Sequence, residues 1–312
     1  RFIEKDYKIG IGYSDVKYQT EFRYNYNNLN IGLPEEELEP ANFRTPLYPK
    51  QDIDNHMLSW HQKYFFKNSK LEADLGYTYN NRKELEAEDE VALHMKLKTA
   101  SYNVKYYLPK FGNLKTIIGV QGLHQTNTNN GEEMLIPDAT TNDIGFLATS
   151  MYEWKQHTFQ AGIRYDNRKI KSETHGVFGE EGYFQAIDKS FDSFNTSLGY
   201  KTKLMDNLTM RLNLATGFRA PNLAELTSNG VHEGSNRYEI GNPNLKNEQN
   251  FQTDLNLEYG NAHFEFFVNG FYNHVNNYIY TSPTGETRDD NDVFAYIQDN
   301  AQLYGGEAGI HF

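Results

Sequence analysis

Cysteine is absent from the 312 residues. That removes disulfides, thiolate metal sites and cysteine nucleophiles together, and leaves the redox compartment open. No apolar run approaches the roughly 18 residues a membrane-spanning helix needs. A β-barrel is untouched by that test, because it hides its hydrophobicity in alternation. An excess of positive charge is also missing: 30 Lys and Arg against 42 Asp and Glu give a net charge of −12. Phosphate binding needs a basic face, so nucleic acid is not expected as a partner. Gly-x-Ser-x-Gly, His-Glu-x-x-His and the phosphate-cradling glycine loop do not occur, and no grouping of Ser, His and Asp stands out, so the sequence does not read as an enzyme. No signal peptide opens the sequence, which starts at Arg1 without an initiator Met; a mature or truncated piece is expected.

What is present is aromatic and alternating. Only 38% of the residues are hydrophobic, yet 14% are aromatic, with 23 Tyr and 20 Phe. Phe251, Thr253, Leu255, Leu257 and Tyr259 take one parity, and Gln252, Asp254, Asn256 and Glu258 the other. The same period of two runs through Leu208–Phe218, Leu71–Tyr79 and Phe159–Tyr165, which is the signature of a strand with one apolar and one polar face. About fourteen strands are expected, near 5–14, 17–30, 53–66, 70–83, 91–108, 113–126, 142–154, 156–171, 190–204, 208–218, 249–260, 262–280, 293–300 and 304–312. The fifth changes phase near Thr99–Ser101, as a bulge would; 114–124 is ambiguous in pattern. All nine prolines fall outside these spans, as ladder-breaking residues should.

The connections decide the architecture. Tight turns are expected near Ser14–Lys17, Lys67–Ser69, Pro109–Gly112, Lys155, Met205–Asn207, Gly260–Asn261 and Ala301–Leu303. Long polar loops at 31–52, 84–90, 127–141, 172–189, 219–248 and 281–292 alternate with them. One end of the sheet is thus trimmed and the other elaborated, as in an antiparallel transmembrane β-barrel of the bacterial outer membrane, with short periplasmic turns and long external loops. Soluble sandwiches and propellers also alternate, but a dozen long strands with this asymmetry favour the barrel. In that orientation residue 1 starts outside and the strand at 304–312 runs outward. At least one barrel strand would then be missing at each end, and Phe312 would not be a closing signal.

Three stretches resemble the TonB-dependent outer-membrane receptors. GFRAPNLAEL (217–226) is similar to the family's FRAP box, including Phe218, Arg219, Ala220 and Pro221, and GNPNLKNE (241–248) to its NPNL box, with Asn242, Pro243, Asn244 and Leu245. YIQDNAQLYGGEAGI (296–310) is similar to a descending strand, tight turn and Gly-x-Glu, here Gly306 and Glu307. The resemblance implies a barrel of about 22 strands, of which residues 1–312 form a part, with an N-terminal plug outside this chain. It also implies active transport energised by a TonB-type coupling protein through that missing part, with the lipid bilayer and a surface lipoprotein as further partners.

The resemblance narrows the cargo to a metal-containing nutrient, with no intrinsic cofactor. In haem-type members a histidine between the two boxes offers an axial ligand, and His232 lies there; a neutral imidazole suits haem iron or zinc. Glu233, Asn236, Arg237, Tyr238 and Glu239 are its candidate neighbours, and His175 a second ligand. Zinc is the alternative cargo, since it accepts His and carboxylate ligands, with His232, Asp289, Asp290 and Asp292 as its candidates. A passive porin is the alternative of another class, although it has no reason to carry the two boxes. The acidic run Glu35–Glu37 with Glu39 reads as solvated charge. Arg219 is expected to pair with Glu225 or Glu239 rather than touch cargo. Arg164, Arg168 and Arg211 are expected to face a polar lumen beside Asp74, Asp166, Asp254 and Glu258, mostly paired.

Overall fold

The computed structural model describes residues 1–33, 45–88, 90–131, 134, 136–180, 182–232, 237–288 and 291–312, the side chain of His232 excepted. In chain order the elements are β1 (Phe2–Ser14), β2 (Tyr18–Gly32), β3 (Lys50–Phe65), β4 (Lys70–Leu85), β5 (Val91–Tyr107), β6 (Leu114–Asn129), β7 (Ala139–Trp154) and β8 (His157–Ser172). There follow β9 (Ile187–Met205), β10 (Leu208–Arg219), α1 (Leu223–Thr227), β11 (Asn229–His232), β12 (Arg237–Ile240), β13 (Glu248–Gly260), β14 (Glu265–Arg288) and β15 (Asn291–His311). The fifteen strands of the described residues belong to one sheet, in the order β1 to β10, β13, β14, β15, β12, β11. The β1 edge and β15 do not pair among the described residues, so the sheet is not closed on itself.

Alternation sets the register. Leu212 lies opposite Leu255, and Asn213 opposite Asp254, so apolar meets apolar on one face and polar meets polar on the other. A one-residue slip would exchange the two faces. Four of the expected details are corrected. Residues 293–300 and 304–312 are one strand, β15, and no turn interrupts it at Ala301–Leu303. Its last residues therefore run toward the tight-turn end, opposite to the expected direction, and the argument from direction against Phe312 falls. Pro283 lies inside β14, where the ladder jumps register between Pro283 and Thr287; a bulge is where a strand tolerates a residue without N–H. The phase change near Thr99 is no bulge, because β5 pairs continuously with β4 there and shifts only at Glu84/Leu85.

Described connections of a few residues join the strands at one end of the sheet, and the long ones lie at the other. The apolar core sits at the long-loop end. Ile170 of β8, Ile187 and Phe191 of β9 and Ile279 of β14 pack with Ala220, Leu226 and Leu245 from the connection between β10 and β13. That connection folds back against the upper part of the wall.

Candidate functional site

The connection is organised by one guanidinium. Arg219, the last residue of β10, donates through Nη1 to both oxygens of Glu225 (2.8 and 2.9 Å). Its Nε and Nη2 donate to Glu248 at 3.0 and 2.6 Å. Glu225 follows the FRAP box and Glu248 ends the stretch that carries the NPNL box, so Arg219 ties the two together. Pairing with Glu225 was expected; the second partner is Glu248 rather than Glu239. Glu239 instead accepts from the Tyr296 hydroxyl at 2.8 Å. Burial, then that bond and the charge behind it, pushes the Tyr296 hydroxyl well above its ordinary range, so it stays a phenol and donor, not a phenolate ligand. Glu248 lies above the outward apolar run that ends near Phe251. Burial there opposes its ionisation, but the Arg219 fork and the Ile279 amide (2.7 Å) outweigh it and hold the carboxyl below its usual range.

Local sequence explains the shape between the boxes. Asn222 accepts from the Glu225 amide, and Glu225 accepts from the Asn222 amide, both at 2.8 Å. This reciprocal capping box starts the five-residue α1. The NPNL box then seats on α1: the amides of Gly241 and Asn242 donate to Ser228 O (2.7 Å) and Glu225 O (2.8 Å). Gly241 is required by contact, since a Cβ there would come within 2.5 Å of the Thr227 and Ser228 nitrogens. Asn242 Oδ1 accepts from the Asn244 amide at 2.9 Å, and Leu245 is buried in the core.

Between α1 and the NPNL box the chain makes the hairpin β11–β12, and β12 adds to the outer end of β15 in parallel. His232 lies opposite Arg237, and Arg237 opposite Asp292. Two candidate residues of the hairpin and a third, Asp292, distant in sequence therefore share one backbone row. Glu233, Asn236, Asp289 and Asp290 lie outside the described residues, as do Glu35–Glu37 and Glu39. Arg237 stacks on Phe294 (4.6 Å to the ring centre) and Arg288 on Tyr238 (5.3 Å), with Tyr238 only 3% exposed. His175 is not in this row; it bridges to Phe184 within the connection between β8 and β9 and is exposed. That connection packs beside the hairpin, with Asn229 Nδ2 donating to Glu180 O and Tyr183 O at 3.2 Å each. A cleft of about 720 Å³ opens between them, lined by Phe178, Tyr183, Asn229, Tyr238, Pro243 and Arg288 among others. Among the described residues no group of three His, Asp or Glu side chains could hold a metal ion. Gly306 and Glu307 sit in the ladder of β15, opposite Gly270 and Asn269, away from this cleft.

The polar face of the wall pairs its charges. Arg168 grips Asp143 at 2.8 and 2.6 Å, while Arg164 pairs with Asp166 and Arg211 with Glu258. Asp74 is taken by His61 and Asp254 by Gln252. The clasp of Glu248, the phenol of Tyr296 and the cap at Asn222 were not singled out from sequence; only the last had a local signal, its Asn-x-x-Glu spacing.

The sequence model described as TonB dependent receptor-like, beta-barrel matches residues 3–312. Solved structures share the fold at low identity. The siderophore receptor PirA from Pseudomonas aeruginosa is 15% identical at a TM-score of 0.73, covering 98% of this chain and 53% of that one. A double mutant of the Serratia marcescens hemophore receptor HasR, in complex with its hemophore HasA and haem, is 12% identical at 0.74, covering 99% and 51%. The copper transporter OprC is 13% identical at 0.75, covering 99% and 50%. The chain thus spans about half the length of these proteins. The match across residues 3–312, on one largely antiparallel sheet with trimmed and elaborated ends, places this chain in the TonB-dependent receptor family of outer-membrane transporters.

Proposed function

We propose that the protein to which this barrel portion belongs takes up a metal-containing nutrient, haem or another iron complex, caught by the segment 217–248 at the outer end of the sheet. The observation that carries this reading is the row His232, Arg237, Asp292 at the outer end of the sheet; a cleft of about 720 Å³ opens on the opposite face of the same hairpin, where Tyr238 lines it. A volume of that order suits cofactor-sized ligands. An imidazole supplies an axial ligand to haem iron, and a neighbouring guanidinium suits the carboxylates such a ligand carries. Uptake would be energised through a TonB-type coupling protein, by way of a plug outside this chain. The likeness to siderophore, hemophore and copper proteins is consistent with a metal-bearing cargo and does not choose among them. Among the described residues nothing selects a surface lipoprotein. The family assignment displaces the passive porin.

Zinc is the second reading, favoured by Asp292 in the same row as His232, since zinc accepts both ligand types. Titration of the full-length receptor with haemin distinguishes the two. A shifted Soret band is expected, with affinity roughly tenfold or more weaker in His232→Ala. Unchanged affinity in that variant removes His232 as a ligand. A receptor that gives no haemin spectrum but binds zinc by calorimetry moves the assignment to zinc.

A further inference from the structure

The outward face of the wall carries a cationic sector that transport does not use. On β4 the apolar parity is Leu71, Ala73, Leu75, Tyr77 and Tyr79, while Glu72, Asp74 and Gly76 take the polar one. Leu75 and Tyr77 are open on the apolar face, which is therefore the face offered to lipid. Near its outer limit runs an aromatic row in register across four strands: Tyr7, Tyr26, His56 and Tyr79. Tyr26 and His56 are 5.0 Å apart between ring centres, and His56 and Tyr79 5.9 Å. Aromatic belts of this kind mark the boundary between hydrocarbon and headgroups.

At and just above that row, on the same face, stand Lys98 (opposite Tyr79), Lys96 (opposite Asn81) and Lys83 (opposite His94). Direct neighbours across antiparallel strands lie about 5 Å apart and diagonal ones about 7–8 Å, so the three side chains can converge on one group. None of them forms an ion pair with a described residue, whereas Lys169 on the same face of β8 is paired with Asp188 at 3.3 Å. His94 stands between Lys83, opposite it, and Lys96, two residues along its own strand, with its Nε2 2.8 Å from Asn81 Oδ1. The other groups of this face are Lys5 on β1, Asn28 and Asn30 on β2, Lys50, Asp52 and Asp54 on β3, Asn81 on β4, and Thr126 and Thr128 on β6. The two carboxylates are engaged toward β2: Asp54 accepts from Tyr26 (2.8 Å) and Asn28 (3.1 Å), and Asp52 from Asn28 (2.9 Å).

We infer that Lys83, Lys96 and Lys98 form a binding site for the phosphate of a lipid headgroup in the outer leaflet, with Tyr79 and its aromatic row against the acyl region below. The whole chain carries −12, so bulk attraction for anions cannot supply this binding; the local cluster does. Height at the belt selects a phosphate carried by a lipid over one free in solution. A basic side chain near a membrane surface strengthens such attachment by about fivefold.

The test titrates full-length receptor in neutral detergent with bisphosphorylated lipid A and counts bound lipid by native mass spectrometry. The triple variant Lys83→Gln, Lys96→Gln, Lys98→Gln is expected to lose roughly 100-fold in affinity, and Lys169→Gln to lose nothing. Lipid A stripped of both phosphates should bind the wild type as weakly as intact lipid binds the triple variant. Equal binding of lipid A by wild type and triple variant overturns the site. Displacement by millimolar inorganic phosphate overturns the lipid assignment. Heat-modifiable gel mobility reports folding; should the triple variant fail it, Lys96→Gln alone is expected to weaken binding about fivefold, and no loss there overturns the proposal.

Discussion

The strand wall and the segment folded against its outer end are held by different physics. Along the wall, neighbouring strands share near-continuous antiparallel ladders, and the apolar side chains of one face have nothing over them: Ile11 is 74% exposed and Leu198 59%. The segment between β10 and β13 forms one hairpin of two four-residue strands and a five-residue helix, yet buries Leu226 to 1% and Tyr238 to 3%. Its polar groups converge on Arg219. The wall is a structure for lipid, whose apolar face contributes to stability only when hydrocarbon covers it. The segment carries its own small core, as a water-soluble protein does, and so keeps a defined shape at the outer end of the wall.

A charge on the lipid face should break the comparison most sharply. Leu198→Arg is expected to cost about 2–4 kcal/mol, read by urea titration of the full-length receptor refolded into vesicles, while leaving the segment's amide exchange unchanged. Arg219→Met leaves two buried carboxylates without their cation. The expected cost is about 2–3 kcal/mol, below the 3–5 kcal/mol of a fully enclosed pair because the Arg219 side chain is 40% exposed. Amides of 223–245 should exchange roughly 30-fold faster and those of the wall at their former rate; equal acceleration in both would unite the two regions. Removing the cap with Asn222→Ala should cost about 1 kcal/mol, confined to α1 and the NPNL box. Acid provides the mildest probe. Because the folded state holds Glu248 below its usual range, that stabilisation is complete above the unfolded value of about 4.3 and is lost as pH falls through the folded one. Protection of the segment's amides, taken relative to the intrinsic exchange rate at each pH, should fall on acidification, less steeply in Glu248→Gln; an identical pH profile in that variant would remove Glu248 from the clasp.

The wall was readable because its rule is local: alternation fixes the faces, and short polar breaks fix the turns. The misplaced turn at Ala301–Leu303 shows where the rule fails. Asn300 and the pair Gly305–Gly306 look like turn chemistry, but Gly305 serves the strand, since a Cβ there would sit 2.8 Å from the Phe271 ring. The hairpin instead closes farther out, with Arg288 opposite Asn291. In the site, Arg219–Glu225 was legible from spacing along one short stretch. Glu248 and Tyr296 were not, because they reach the site through sheet neighbours far away in sequence. The pairing of β12 with β15 has no local signal at all: four residues of ordinary composition are extended because a strand edge is waiting for them.

That parallel ladder has a kinematic consequence. At roughly 3.3 Å per residue, the 24 residues of β14 have a contour of about 80 Å and the 13 of β13 about 43 Å. Beyond Asn276 the β14–β15 hairpin loses β13 as a neighbour and is held instead by the segment between the boxes, through Ile279 in the core and through β12 along Asp292–Ala295. A load at its tip, where Arg288 faces Asn291, arrives directly as shear on the adjoining Arg237–Ile240 ladder. From there it passes through α1 and the NPNL box to Arg219 at the rim of the wall. The hairpin and the segment between the boxes therefore share one degree of freedom, and neither can swing without carrying or tearing the other.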